Sequence, residues 1–456
     1  MYPPPHSPML SSQPIPPTPV TLTEKKYEMQ YNLQQQLASR NLMFRAGAAP
    51  LPQAYTAAMD YGSQMMNAAA MYGHGASPTS SFGQTLRGNR RNDMPPGLAL
   101  PRSPVLDEFR ASRASKNKGK DWELRDITGF VVEFSGDQHG SRFIQEKLVS
   151  ATSDERQSVF DEIVPNNTLQ LMQDVFGNYV IQKLFEHGTQ AQKTVLAKTM
   201  EGYVVYLSSN LYGCRVVQKA IESVLPDQQA NIVTELQPHI MRLVTDGNGN
   251  HVIQKVIERV SPDRLGFVSL FTGHVLELAS HTYGCRVLQR CLQHLPDVQT
   301  RPLLDELLRS YAVDLMQDQF GNYVIQFILE HGRPEDKALV VAQLHNRLLY
   351  MARHKFASNV CEKALAFADA DARRLLIEEL MAPASKPDGI TPIASMMKDQ
   401  YGNYVLQRAL RVAEGDQKEA LIDTVRPQLA MMRRYSTAYS KHLTSSTQQL
   451  RPCIST

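Results

Sequence analysis

Little in this sequence is typical of a secreted, membrane-spanning or metal-binding protein. Its cysteines are odd in number and never form a C-x-x-C pair: Cys214, Cys285, Cys291, Cys361 and Cys453. We therefore expect neither disulfides nor a zinc site. No apolar run is long enough to cross a bilayer, and the start, Met1-Tyr-Pro-Pro-Pro, lacks the basic and apolar segments of a secretory signal. These features predict a soluble intracellular protein with no membrane contact.

Patterns that carry catalysis are scarce as well. The 13 His residues show no metal-ligand spacing, there is no phosphate-binding loop, and neither Ser141 nor Ser358 has a His partner in register. We predict that the protein is not an enzyme and uses neither a cofactor nor a small-molecule substrate.

Net charge alone does not predict a nucleic-acid partner. Residues 1–120 carry 13 Lys and Arg against 6 Asp and Glu, whereas residues 121–456 carry 35 against 39. The larger part of the chain is thus slightly acidic. Only the placement of individual charges can indicate such a partner.

The dominant feature of the chain is a repeat. The heptapeptide at 176–182, Phe-Gly-Asn-Tyr-Val-Ile-Gln, returns unchanged at 320–326 and with two changes at 401–407. Aligning on the residue after the Gly gives eight five-residue copies, here called the signature, which begin 37, 36, 36, 35, 37, 36 and 45 residues apart. A period near 36 residues is typical of a small helical unit, so the chain is predicted to form an all-α solenoid.

Eight repeats are predicted to occupy most of the chain. Their expected bounds are 127–163, 164–199, 200–235, 236–270, 271–307, 308–343, 344–388 and 389–424. Repeat seven is longer because of a Pro- and Gly-bearing insertion at 382–389, which should loop out of the stack. Each repeat should hold a signature helix, such as 177–186, and then an amphipathic helix, such as 191–200 or 262–271.

Caps are expected at both ends because terminal repeats would otherwise expose their core faces. We assign 103–126 to the N-terminal cap and 425–440 to the C-terminal cap. The apolar face of the N-terminal cap is predicted to consist of Leu106, Phe109, Trp122 and Leu124, together with Ile127 at the start of repeat one. For the basic run at 116–120 we favour a solvated loop over a nuclear address.

The flanking segments have no globular pattern. Residues 1–102 are rich in Pro, Gln and Met, with too little apolar surface to offset the entropy of ordering, so disorder is predicted. Within them, 25–44 is interpreted as an idle linker in preference to a helix that folds on a partner. Residues 441–456 lack an apolar period and predict an irregular tail.

The signature has distinct faces on a helix. Its first and fifth residues lie one above the other, the second lies beside them, and the apolar third and fourth should face the core. The other three are therefore expected to form an exposed trio. A residue suited to cap the helix stands four positions earlier in six copies: Asp137, Asp174, Asn210, Asp246, Asp318 and Asp399.

The trio has the chemistry needed to hold one nucleotide. Its second residue is flat in every copy and suited to stack between bases of single-stranded RNA: Arg142, Tyr179, Arg215, His251, Arg286, Tyr323, Asn359 and Tyr404. Packed helices lie about 8–10 Å apart and stacked bases about 3.4 Å, so a planar group inserted between bases brings the two spacings closer.

The first and fifth residues are predicted to bind base edges. They are Ser141 and Gln145, Asn178 and Gln182, Cys214 and Gln218, Asn250 and Gln254, Cys285 and Gln289, Asn322 and Gln326, Ser358 and Glu362, and Asn403 and Gln407. Gln offers a donor and an acceptor, whereas the acceptor-only Glu362 favours guanine, which presents two donors.

A basic residue follows the signature in six copies. These residues are Lys183, Lys219, Lys255, Arg290, Lys363 and Arg408. Such a row predicts contacts with RNA phosphates and binding that weakens with salt.

Over residues 103–440 the chain resembles the Pumilio (PUF) family, in its fungal or animal form, with an eight-repeat Pumilio homology domain. The resemblance implies a curved α-solenoid, a right-handed superhelix of Pumilio repeats with half-repeat caps. It further implies RNA running antiparallel to the chain: uracil at repeats two, four, six and eight, adenine at one, three and five, and guanine at seven. Because the base at repeat four varies in that family, the implied site is UGUANAUA.

The resemblance also implies a biological role. Members bind messenger 3′ untranslated regions in the cytoplasm, repress translation and hasten deadenylation and decay by recruiting a deadenylase complex of the CCR4-NOT type. A monomer is implied. Ala357 departs from the family's Gly, and 435–441, Tyr-Ser-Thr-Ala-Tyr-Ser-Lys, departs from its final half-repeat.

The alternative is a HEAT- or armadillo-like scaffold that binds a peptide. Such a scaffold accounts for the stacked helices. It does not account for flat residues in register or for the single Glu among the fifth positions.

Overall fold

The computed structural model describes residues 102–114, 120–383 and 390–435. All of them belong to one unit, Ala99–Thr456. The predictions for 1–101, for 116–119 of the basic run, for most of the insertion at 382–389 and for 436–456 lie outside the described residues.

Helices dominate the described ranges, which contain no strand. Each repeat begins with a short first helix: Val131–Ser135, Thr168–Met172, Val204–Ser209, Ile240–Thr245, Val275–Ala279, Ala312–Gln317, Leu348–Ala352 and Pro392–Lys398. The signature helices follow: Gln138–Ser150, Gly177–His187, Gly213–Ser223, Gly249–Arg259, Gly284–His294, Gly321–His331, Ala357–Phe367 and Gly402–Val412. Successive signature helices pack against each other, so the eight repeats form the predicted α-solenoid.

A third helix closes seven of the repeats. These helices are Ser153–Ile163, Gln190–Met200, Pro226–Leu236, Asp297–Glu306, Pro334–Leu344, Ala370–Leu380 and Gly415–Tyr435. The last one continues past residue 424 into the predicted C-terminal cap. None of the helices in the described ranges has the length and apolar content that a membrane span requires.

Repeat four corrects one prediction. The amphipathic helix expected over 262–271 is replaced by two 3₁₀ segments, Pro262–Arg264 and Gly266–Phe271. At Leu265, between them, the backbone leaves the helical region with ψ 40°, and the following Gly266 has low helix propensity. Phe267 and Phe271 are nevertheless fully buried, so the irregular segment still covers the core.

One continuous core runs through the array. The third and fourth signature residues are buried in all eight copies, as predicted; Val180 and Ile181, for example, have no exposed area. Burying such a side chain contributes about 1.5–3 kcal/mol. The five residues predicted for the N-terminal cap are also buried.

The caps of the signature helices follow the predicted pattern in six repeats. Asp174 Oδ1, for example, accepts hydrogen bonds from the backbone N–H groups of Phe176 and Gly177 at 2.9 and 2.7 Å. In repeats five and seven the same position holds His281 and His354, whose Nδ1 atoms accept the equivalent bonds at 3.2–3.4 Å. This role was not predicted from the sequence, because His is not a usual capping residue.

Odd-numbered repeats share a hydrogen-bonding pattern between their third and first helices. A Glu near the end of the third helix accepts hydrogen bonds from backbone N–H groups at the start of the same repeat's first helix; Glu235, for example, accepts from Gly202 and Val204 at 2.9 and 2.7 Å. The other three are Glu162, Glu306 and Glu379. The structural period of the array is therefore two repeats.

The start of each signature helix passes close to the preceding first helix, which leads to a testable difference between two glycines. A Cβ added at Gly284 would lie 2.6 Å from the Leu278 carbonyl oxygen, whereas one at Gly402 would lie no closer than 3.2 Å to Met396. Because backbone atoms cannot yield easily, Gly284→Ala should lower the free energy of unfolding by about 1–3 kcal/mol. Gly402→Ala should cost much less, since Ala favours the helix.

Urea denaturation followed by circular dichroism measures both variants. Equal losses at the two positions would contradict the steric explanation.

Candidate nucleic-acid interface

The signature residues do not form a uniformly exposed trio. The second residue is exposed in all eight repeats, as expected. The first residue is buried in all eight, at most 5 % exposed, so the expectation of an exposed first position was wrong. It lies in the first turn of the signature helix, where the preceding loop covers it. The fifth residue is half-buried in six repeats and buried at Gln326 and Gln407.

In even-numbered repeats the first and fifth side chains bind each other. Asn178 Nδ2 donates to the backbone carbonyl of Asp174 at 2.8 Å, and its Oδ1 accepts from Gln182 Nε2 at 2.9 Å. Repeats four, six and eight repeat the Gln-to-Asn bond at 2.9, 2.8 and 3.1 Å. Each Gln is therefore oriented by an Asn that is itself fixed to the backbone.

In repeats one, three and five the Gln is held differently. The first residue is Ser or Cys, and the Gln Nε2 donates to the backbone carbonyl of that residue: Ser141, Cys214 and Cys285, at 3.1, 3.0 and 3.1 Å. The Gln side-chain amide is therefore held by a backbone acceptor in these repeats and by an Asn side chain in the even-numbered repeats, so its position differs between the two groups. Two arrangements of the first and fifth side chains thus alternate from repeat one to repeat six, with the two-repeat period of the fold.

The thiols of Cys214 and Cys285, at the first signature position, are expected to be unreactive. Burial raises the pKa of both Cys214 and Cys285 to about 11. Both therefore stay protonated near neutral pH and act as small apolar groups.

The second residues supply the accessible planar groups. Tyr179, Tyr323 and Tyr404 are 39, 45 and 46 % exposed, and Arg215 Nη1 donates to the Tyr179 hydroxyl at 3.3 Å. Desolvation, and then the charges of Arg286 and Arg215, lowers the pKa of His251. Neutral His251 is thus favoured among its cationic neighbours.

Repeat seven differs from both classes. Among the described residues, nothing donates a hydrogen bond to the Glu362 carboxylate, and Arg408 Nε lies 4.0 Å from its Oε2. Burial raises the pKa of Glu362, although the Arg408 and Arg411 charges oppose this. Glu362 is therefore a half-buried carboxylate that accepts no hydrogen bond from the described residues.

The six cations that follow the signatures are paired with carboxylates, which the sequence did not predict. All six lie beside carboxylates: Lys183 with Glu186, Lys219 with Glu222, Lys255 with Glu222 and Glu258, Arg290 with Glu258, Lys363 with Glu330, and Arg408 with Glu362. The distances are 2.7–3.2 Å, except for 4.0 Å at Arg408. Their contact with phosphates stays a prediction.

Comparison with known proteins agrees with this geometry. The model of the Pumilio-family RNA binding repeat matches eight times, at 130–164, 167–198, 203–237, 239–266, 274–308, 311–345, 347–381 and 392–425. The chain is 42 % identical over 352 residues to mRNA-binding protein puf3 of Schizosaccharomyces pombe, covering 77 % of this chain and 47 % of that protein. It is 45 % identical to Pumilio homolog 1 of Xenopus laevis, covering 80 % of this chain and 30 % of that protein. It thus spans only about half, or less, of these relatives.

Solved structures agree as well. The Puf3 RNA binding domain bound to Cox17 RNA 3′ UTR recognition sequence site B is 35 % identical, with a TM-score of 0.69 over 77 % of this chain and 100 % of that one. PUF-8 in complex with PBE-RNA is also 35 % identical, with a TM-score of 0.68 over 76 and 99 %. With eight matched repeats and this level of identity, the chain belongs to the Pumilio family of RNA-binding repeat proteins.

Proposed function

We propose that this protein binds UGUANAUA-type elements in single-stranded RNA, one base per repeat, through the trios of the signature helices. The bound RNA is a messenger 3′ untranslated region. Binding in the cytoplasm represses translation and promotes deadenylation and decay, with the protein acting as a monomer that recruits a deadenylase complex of the CCR4-NOT type. The names of the relatives support the RNA class: one is an mRNA-binding protein, and one solved domain is bound to a 3′ UTR recognition sequence.

The observation that carries this proposal is the order of hydrogen-bonding groups along the array. Asn-held Gln side chains alternate with backbone-held ones, and Glu362 interrupts the alternation at repeat seven. Two alternating amide environments suit two alternating bases, and a lone acceptor suits the N1–H and N2–H₂ donors of guanine. A peptide-binding scaffold would require no such order.

Binding to UGUAUAUA and UCUAUAUA, compared by fluorescence anisotropy, tests the proposal. A mismatched base costs about 1–3 kcal/mol by analogy with other sequence-specific nucleic-acid sites, so UCUAUAUA should bind roughly 5- to 150-fold more weakly. Equal affinities would reject base reading, and no binding to either RNA would favour the scaffold.

Guanine selection should weaken as the pH falls. Glu362 must be ionised to accept both guanine donors, and burial raises its pKa, so it takes up a proton at a higher pH than an exposed Glu does. The protonated carboxyl donates one hydrogen bond and accepts another, which suits the N1 and N6 groups of adenine. The affinity ratio of UGUAUAUA to UAUAUAUA should therefore fall as the pH is lowered from neutral, and it should begin to fall at a higher pH than the titration of an exposed Glu would give.

The same anisotropy titration at a base facing a Gln repeat is the control. Its selectivity should not follow the pH, because Gln does not titrate. A parallel loss at both positions would show that acid weakens RNA binding generally.

A further inference from the structure

Four carboxylates lie along the row of cations that follows the signatures. They are Glu186, Glu222, Glu258 and Glu330, here called the carboxylate row. Each stands three residues after the cation position of its own helix and four after the fifth signature residue. Since positions four apart share a helix face, the row lies one turn beyond the residues proposed to read bases.

The ion pairs connect successive repeats into a chain. Lys219 binds Glu222 at 3.0 Å, Glu222 binds Lys255 of the next repeat at 3.0 Å, Lys255 binds Glu258 at 3.0 Å, and Glu258 binds Arg290 of the following repeat at 3.2 Å. Lys363 binds Glu330 of the preceding repeat at 2.7 Å. Lys255 is therefore shared between carboxylates of two repeats, whereas Arg290 and Lys363 each pair with the carboxylate of the preceding repeat.

At the junction of repeats five and six, the carboxylate and the following cation are both missing. Repeat five has Gln293 at the carboxylate position, and the next repeat has Phe327 at the cation position. Phe327 is 8 % exposed and its ring lies 4.8 Å from that of His331. Cation and preceding carboxylate are thus absent together at this junction, whereas at the two ends of the row Lys183 and Arg408 follow repeats that have Val149 and Ala366 at the carboxylate position.

The pairs are partly withdrawn from solvent. The side chains of Lys219, Glu222, Lys255 and Glu258 are 20–24 % exposed. Burial alone would raise the pKa of Glu222, but hydrogen bonds from Lys255 and Lys219 lower it; burial alone would lower the pKa of Lys255, but Glu258 and Glu222 raise it. Both groups are therefore held charged.

Such pairs reduce the attraction that a row of cations exerts on any polyanion. A phosphate that approaches Lys255 must compete with two carboxylates 3.0 Å from its Nζ. Residues 121–456 have four more acidic than basic residues, so long-range attraction does not compensate. RNA without matching bases is therefore expected to bind weakly.

We propose that the carboxylate row is a specificity device, which neutralises the cations beside the base-reading trios and so suppresses binding of RNA that lacks the recognised bases. The proposal rests on the proposed RNA-binding function. RNA held by its bases has its phosphates fixed in position. The phosphates of non-matching RNA are not fixed in this way and can move to any cation that lacks a carboxylate partner. Removing the carboxylates should therefore strengthen the binding of non-matching RNA more than that of matching RNA.

The test is the triple variant Glu222→Gln, Glu258→Gln, Glu330→Gln, with anisotropy against an oligocytidine and against UGUAUAUA of equal length. Each phosphate contact with a single strand adds about 0.7 to the slope of log K against log salt concentration. Freeing Lys219, Lys255, Arg290 and Lys363 should therefore steepen the oligocytidine slope by roughly 2–3 and tighten its binding about tenfold at low salt. UGUAUAUA should gain clearly less.

A matched control separates local from bulk charge. Asp227→Asn, Glu277→Gln, Glu335→Gln also removes three carboxylates that lie beside basic side chains, but from first and third helices. An equal gain for oligocytidine in this control would overturn the proposal, as would an equal gain for both RNAs in the test variant. An unchanged salt slope with a lower melting temperature would show that the row only joins the repeats.

Glu222→Gln alone provides a milder variant if the triple one fails to fold, with a smaller change expected in the same direction. Failure of the proposed function is distinguishable, because it appears in the unmodified protein as equal affinity for oligocytidine and UGUAUAUA.

Discussion

Giving repeat seven the trio of repeats two, six and eight is expected to change its preferred base from guanine to uracil. The variant carries Ser358→Asn, Asn359→Tyr and Glu362→Gln. The new Gln would be oriented by the new Asn, as Gln182 is by Asn178 at 2.9 Å, and the carboxylate proposed to accept from guanine would be lost. With about 1–3 kcal/mol lost for guanine and a similar amount gained for uracil, the preference between UGUAUAUA and UUUAUAUA should reverse. Competition anisotropy measures the ratio.

The control for this experiment is Ser358→Cys. Position 358 is 5 % exposed, and Cys occupies the equivalent buried position in repeats three and five, so guanine preference should persist. If the triple variant still selected guanine, Glu362 would not be the group that reads the base. Loss of guanine preference in the Cys control would assign the reading to the first position.

Phe109→Ala should produce the largest loss of stability. Phe109 is 1 % exposed, and its ring lies 5.2–5.3 Å from those of Trp122, Phe134 and Phe143. Truncating a buried Phe costs about 3–5 kcal/mol because it leaves a cavity. The ring joins the N-terminal cap to repeat one, and a solenoid repeat contacts only its neighbours. The loss should therefore be concentrated at the amino-terminal end.

Hydrogen exchange measured along the chain tests this distribution. Protection in the signature helices of repeats one and two should fall more than in repeats seven and eight. Tyr350→Ala is the matched control, since Tyr350 is 65 % exposed and surface changes usually stay within about 0.5 kcal/mol. A uniform loss of protection would mean that the array unfolds as one cooperative unit.

The candidate site was predictable where it depends on position along one helix. The second signature residues are exposed and the third and fourth buried, since helical geometry fixes these directions from residue numbers alone. The Asp and Asn caps were predictable for the same reason, because a cap bonds only to the next few residues of its own chain. Asp174, which caps the helix that begins at Gly177, is an example.

Features that depend on contacts between different helices were not predicted from the sequence. The first position was expected to be exposed, yet Asn178 is fully buried. The pairing of the cations was not predicted either: Lys255 lies between carboxylates of two repeats. Sequence spacing cannot give these outcomes, because they depend on the distance and rotation between packed helices.

The sequence by itself determined the eight-fold repeat, the helical character of each unit, the residues of its core and the single Glu that distinguishes repeat seven. These follow from periodicity. A 36-residue recurrence indicates stacked helical units, and the apolar pair in every signature indicates which residues form their shared core. Only the tertiary structure decided the burial of the first position, the two alternating ways of holding Gln, the 3₁₀ segments of repeat four and the pairing of the cations. These depend on distances between packed backbones, and a difference of one or two ångströms there decides whether an amide or ammonium group meets a neighbouring side chain, a backbone carbonyl or solvent.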